Sequence, residues 1–244
     1  MEPARVEPES PDSAKRRAEL LRILKRGLAS NGRVDEIALA VLSDIVEGRL
    51  HPGDDLNSVE LARTFQTSRT PVREALLILE REGLVQISAH RRPRVARLSL
   101  REVRELYELR ATLYGVVSRA IVRVADQADF DRLRDIQSGL ERAVADGDVD
   151  AYFWLNVEFR NTEVDITGQE TLRRVLDGLG LRTLQLRHLS LSLPGRISES
   201  VADHARLLRA YEDRDEDLAA ALTMSLVRRG LAAIEGSGWT GDGR

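Results

Sequence analysis

Between residues 33 and 98 the apolar positions change rhythm several times, and each change marks an element. Val34, Ile37, Ala38, Val41, Leu42 and Ile45 recur at helical spacing and predict a helix ending near Gly48. Pro52-Gly53 predicts a turn. Asn57 reads as an N-cap, with Glu60 three residues on in the capping-box position, and opens a short helix over 58–65. A tight turn at 66–67 leads into another helix, where hydroxyl side chains can cap the start and Pro71 occupies the first turn. Its apolar stripe is Val72, Ala75, Leu76 and Leu79, and Gly83 stops it. Residues 84–87 and 94–98 read as two short strands around a basic tip, His90-Arg91-Arg92-Pro93. Helix, helix, turn, helix and hairpin make a winged helix-turn-helix.

From residue 99 onward the period is 3.6 throughout. Ser99 and Glu102 form a capping box opening a helix whose predicted inner face is Val103, Leu106, Leu109, Leu113, Val116, Val117, Ala120 and Ile121. Further helices are predicted over 127–146, 149–166, 169–190, 197–212 and 215–235, with breaks near Asp126, Gly147, Gly168, Pro194 and Asp213. No strand pattern follows. The predicted fold is mostly α: a winged helix-turn-helix over 33–98, then an all-helical bundle over 99–236. Residues 1–32 read as a disordered Pro- and Glu-bearing tail followed by an amphipathic helix over 14–29, and 237–244 as a disordered tail. The 14–29 stripe (Leu20, Leu21, Ile23, Leu24, Leu28) lies beside six basic residues. It suits packing on the protein's own body or on a dimer mate, with a DNA-backbone arm or a membrane-surface contact as alternatives.

Charge alters this picture more than composition does. The net charge is −3, yet residues 61–98 hold eight arginines against Glu74, Glu80 and Glu82, a local +5, so the remainder carries −8. A basic module on an acidic body suits a polyanionic partner for one part only. The recognition candidates are Ser68, Arg69, Thr70 and Arg73, at the exposed start of a helix pinned by its apolar side. Arginine there is suited to bidentate contact with guanine or phosphate. Arg91, Arg92 and Arg94 are candidates in the wing. There is no cysteine, so disulfides, thiolate metal sites and a thiol nucleophile are excluded. No apolar run approaches spanning length and the N-terminus lacks a signal peptide's core, so a cytoplasmic location without membrane contact is expected.

Residues 33–98 resemble the DNA-binding domain of GntR-type bacterial transcription regulators. The resemblance is carried by GRLHPGDDL at 48–56, ELARTF at 60–65 and SRTPVREALLILEREGLV at 68–85. The rest resembles the all-helical effector (FCD) domain of the FadR-like subgroup, so the likeness spans about 33–236. It implies a homodimeric DNA-binding regulator, most often a repressor, on double-stranded DNA with an inverted-repeat operator. The family's usual wing-tip glycine is replaced here by Arg92, with Pro93 beside it.

In that subgroup the bundle often holds a divalent metal through one Asp and three His. The matching positions here are Asn156, Arg160 and His204, with the last near Leu226 or Val227, and no histidine follows position 204. One imidazole and one amide do not make a transition-metal site, and a guanidinium repels a cation, so no metal cofactor is expected. Arg160 can instead offer its charge directly to an acidic small-molecule effector, a carboxylate above all, with Asn156 and His204 as hydrogen-bonding neighbours. Arg110 joins this set because the resemblance implies that an arginine on the first bundle helix faces the ligand. The alternative for Arg160 is a buried salt bridge with a carboxylate such as Asp203, in a domain that serves only dimerisation of an effector-independent regulator. The Leu98-Ser99 segment is the expected route of coupling between the two domains. No Gly-rich phosphate loop or nucleophile–base arrangement points to an enzyme.

Overall fold

The computed structural model describes Leu20, Leu24, residues 32–89 and residues 91–239. The N-terminal domain contains α1 (Gly32–Val46), α2 (Ser58–Thr64), α3 (Arg69–Arg81) and the strands β1 (Val85–Gln86) and β2 (Arg94–Val95). The bundle contains α4 (Leu100–Val124), α5 (Gln127–Asp146), α6 (Val149–Thr167), α7 (Glu170–Ser192), α8 (Arg196–Glu212) and α9 (Glu216–Gly236).

Asn57 caps α2, but its side chain accepts from Val59 N at 3.0 Å and makes no reciprocal box with Glu60. Gln66 adopts a positive φ of 49°, turning the chain sharply from α2 into α3. Val72, Ala75, Leu76, Ile78 and Leu79 bury one side of α3 against α1. Gly83 then takes φ +74°, closing the helix in the left-handed region. The wing is shorter than the alternation suggests, two residues per strand, with Val85 opposite Val95. A third segment completes it: Gly53 N donates to Val95 O and Leu56 N to Pro93 O, at 2.9 and 2.7 Å. Backbone pairing to 53–56 is long-range, which local alternation cannot report.

The Ser99–Glu102 capping box forms as predicted. The inner face of α4 is narrower than predicted: Leu109 and Val116 are 46% exposed, because α4 packs along α9 and leaves these two on the outside. Ion pairs rail α4 to α9, among them Arg123–Glu216 at 2.6 Å and Arg228–Glu108 at 2.8 Å. The α6 helix is buried on nearly every side by Tyr152, Phe153, Trp154, Val157, Phe159 and Val164, and sits at the centre of the bundle.

Both ends of the described chain join the core. Leu20 and Leu24 are helical and buried in it; the rest of the basic 14–29 stretch lies outside the described residues. The expected 237–244 tail needs correction over its first part. Trp239 packs against the core and, with Pro52, Gly83 and Leu98 of one domain and Arg182 and Leu186 of the other, lines a small cavity in the seam between them. A large aromatic beyond the last helix has surface worth burying, whatever the composition around it. The other bridge across the seam is α7. Gln185 Nε2 donates to Leu50 O at 3.0 Å, and a Cβ at Gly83 would lie 3.2 Å from Arg182 Nε.

Candidate functional site

Two sites emerge, one on each domain. On the first, the N-terminal end of α3 and the wing border a groove of about 390 Å³ lined by Ser58, Arg69, Arg73, Ser88, Arg91 and Pro93, among others. Arg69, Arg73 and Arg91 are exposed, with no ion-pair partner among the described residues. Ser68 caps α3 by backbone position alone, its hydroxyl making no capping hydrogen bond, and Thr70 and Arg92 are exposed beside it. Glu80 Oε1 accepts from Ile87 N at 3.1 Å, tying helix to wing. Of the seven residues predicted here, Arg94 behaves differently: its guanidinium is held by Asp55 at 2.7 Å, which secures β2 to the 53–56 segment. His90 lies outside the described residues. A face of uncompensated guanidinium groups on a rigid frame can accept phosphates and base edges.

The second site lies inside the bundle. Five helices line a cavity of about 40 Å³: Tyr107 and Arg110 come from α4, Asn156 and Arg160 from α6, Arg187 and Ser190 from α7, Arg196 and Ser200 from α8, and Leu226 and Val227 from α9. Arg110, Arg160 and Arg187 are all buried, 5%, 2% and 9% exposed. Arg160 pairs with Glu163 at 2.7 Å, and Tyr211 donates to the same carboxylate at 2.6 Å. Burial raises Glu163 above the usual carboxylate range, and it raises the Tyr211 hydroxyl well above its ordinary value. Asp203, the partner considered from sequence, is engaged by Arg206 and Arg229 instead.

The polar chain behind the cavity has a fixed direction. His204 Nδ1 lies 2.8 Å from Ser200 O, an acceptor, so Nδ1 carries the proton. Its Nε2 then accepts from Asn156 Nδ2 at 3.3 Å, and Asn156 Oδ1 accepts from Arg187 Nη2 at 2.7 Å. Burial and the nearby Arg160 charge pull His204 down to about 3, so the ring is neutral. His204 stands behind Asn156, away from the cavity lining, and packs edge-on to Phe159.

Arg187 is the residue missed from sequence. Its signal is a guanidinium set on the buried stripe of α7 between Leu184 and Leu191, where an apolar side chain is expected. Burial and the Arg110 charge lower it to about 9, a measure of how poorly the surroundings compensate it.

Of the positions matching the subgroup's metal ligands, Asn156, Arg160 and the Leu226–Val227 pair line the cavity while His204 stands behind Asn156, and the side chains do not fit a divalent ion. The Asn156 amide is shared between Arg187 and His204, the imidazole acceptor is spent on Asn156, and Arg160 adds a cation. Among the described residues no group of three His, Asp or Glu could hold a metal.

Comparison with known proteins fits this division. The model of bacterial regulatory proteins of the gntR family matches residues 33–95, and that of the FCD domain matches residues 105–229. The HTH-type transcriptional repressor RspR of Escherichia coli is 25% identical over 71% of this chain and 76% of its own length. The Nta operon transcriptional regulator of Aminobacter aminovorans is 28% identical over 75% of this chain and 86% of its own. Among solved structures, McbR/YncC of E. coli superposes with a TM-score of 0.74 at 20% identity, covering 85% of this chain and 99% of that one, a likeness of fold.

Proposed function

The chain belongs to the GntR family of bacterial transcription regulators, with an FCD domain behind its winged helix, and from that premise we propose a repressor whose operator binding responds to an acidic metabolite. Arg69, Thr70 and Arg73 read base edges at the start of α3, Ser68 and Arg91 contact phosphates, and Arg92 extends the wing. Arg94 holds the wing's shape through Asp55. In a homodimer joined through the outer side of α4, where Leu109 and Val116 are exposed, two such helices meet successive major grooves of an inverted repeat.

The observation that carries the effector reading is the placement of α7. One helix bears Arg187 and Ser190 in the cavity and Arg182 and Gln185 against the winged domain. Residues 185 and 187 lie about 200° apart around it, so the two contacts occupy opposite sides of one rod. An anion drawn to Arg187 favours one position of α7, and with it one placement of the winged domain. The Ser99 capping box makes the Leu98-Ser99 link a second, rigid connection. The cavity works without a metal, its guanidinium groups supplying the positive charge.

The test is operator release. DNA fragments selected from the genome by the pure protein should shift specifically, and Arg69→Ala and Arg73→Ala should abolish the shift while leaving the dimer intact. Small anions added to the wild-type complex should change its Kd, and zinc, nickel and manganese should be absent at stoichiometric level after dialysis. An unchanged Kd across a broad set of metabolites would leave the bundle a dimerisation scaffold.

A further inference from the structure

The charge inventory of the bundle cavity specifies its ligand more closely than "acidic". Three guanidinium groups, Arg110, Arg160 and Arg187, are buried around it. One carboxylate, Glu163, is buried with them, and its oxygens are taken by Arg160 and Tyr211. Two positive charges remain in excess, and neither Arg110 nor Arg187 has an ion-pair contact among the described residues, although Arg110 feels the Glu163 charge at longer range. Arg110 rests against the rings of Tyr107 and Tyr114, 6.0 and 5.2 Å from their centroids. Arg187 has the amide oxygen of Asn156 and the Phe153 ring. Neither neighbour neutralises a charge, and burying unneutralised charge is costly.

The polar atoms left over point the same way. Tyr107 Oη, Arg160 Nη2, Ser190 Oγ and Arg196 Nε are buried without a hydrogen-bond partner, and all four belong to residues lining this cavity. Each can donate. Nearby acceptors are spent: Asn156 Oδ1 on Arg187, His204 Nε2 on Asn156, and Glu163 on its two donors. A wall of donors around two spare cations selects an anion with several acceptor oxygens. The cavity's 40 Å³ is room for about three or four water-sized groups, which a single tetrahedral oxyanion fills and two separated carboxylates do not.

We propose that the bundle cavity binds a dianionic phosphoryl group, received by Arg110 and Arg187 from two sides, with Tyr107 and Ser190 donating to its oxygens. The inference rests on the effector reading above but needs no DNA to test. Inorganic phosphate and glycerol phosphate are compared with acetate by thermal shift and calorimetry, at one pH and constant ionic strength. Phosphate binds about tenfold or more tightly than acetate and raises Tm by about 5 °C at a hundredfold excess over Kd. Glycerol phosphate binding more tightly than phosphate identifies an ester as the natural ligand, and the reverse order identifies the free ion.

Arg187→Met and Arg110→Met separate a binding role from a structural one. Without ligand, each variant melts no lower than wild type, because a buried unpaired charge is gone. Each also loses the phosphate shift. Variants that melt well below wild type, or that keep the full phosphate response, overturn the assignment. Acetate binding as tightly as phosphate also overturns it, while leaving an acidic effector standing. Phosphate binding that leaves operator affinity unchanged upholds the site and defeats the effector reading instead.

Discussion

The imidazole of His204 shows how much of this domain depends on single protonation states. Buried and neutral in the fold, with a pKa near 3, it takes up a proton at about 6.5 once the chain unfolds. The unfolded state therefore binds more protons across that interval, and stability falls as pH drops from about 6.5 towards 3, by roughly 1.4 kcal/mol per unit once well below 6.5. Glu163, raised by burial, works in the opposite sense above the ordinary carboxylate range. Denaturant titrations at pH 7, 6 and 5 should give a shallower acid loss for His204→Asn than for wild type; parallel curves would show that His204 is not the source. Glu163→Gln leaves Arg160 buried against a neutral amide and should cost about 3–5 kcal/mol in the same assay. At the DNA face, Arg94→Ala should act through wing geometry. It should lower Tm, and its loss of operator affinity should show less change in salt slope than that of Arg91→Ala.

Among the elements, α7 carries the largest share of the proposed coupling, and Gly83 is where the winged domain admits it. Gly83→Ala forces a side chain into φ +74° and sets a Cβ 3.2 Å from Arg182 Nε. A cost of about 1–2 kcal/mol is expected from the backbone alone, together with an altered anion response in operator titrations. Sequence periodicity located the helices well because each is long, capped and amphipathic. Ser99–Glu102 and Asp148, whose side chain accepts from Ala151 N, are cues written within four residues of the boundary. The wing was legible only as a hairpin, since its third segment, 53–56, pairs with β2 from some forty residues away. In the site, Asn156, Arg160 and Arg110 were legible through a motif match, and all three line the cavity. Two things were not. Whether Arg160 would meet Glu163 or Asp203 depends on how α8 and α9 are rotated, since Arg229 draws Asp203 away. Arg187 lies on a helix that carries no motif.

For the molecule as a whole, the proposed homodimer makes association a condition of tight operator binding. Leu109→Arg with Val116→Arg should give a monomer in analytical ultracentrifugation, and a monomer meets one half-site only, so operator affinity should fall by orders of magnitude while Tm changes little. The seam between the domains has an optical consequence. The chain has two tryptophans, Trp154 within the bundle and Trp239 between the halves. Replacing the first with phenylalanine leaves one indole as the dominant emitter, held where the two bodies meet. Its emission should move to longer wavelength when the halves part and water reaches the ring. Every effector candidate could then be screened by fluorescence on unlabelled protein.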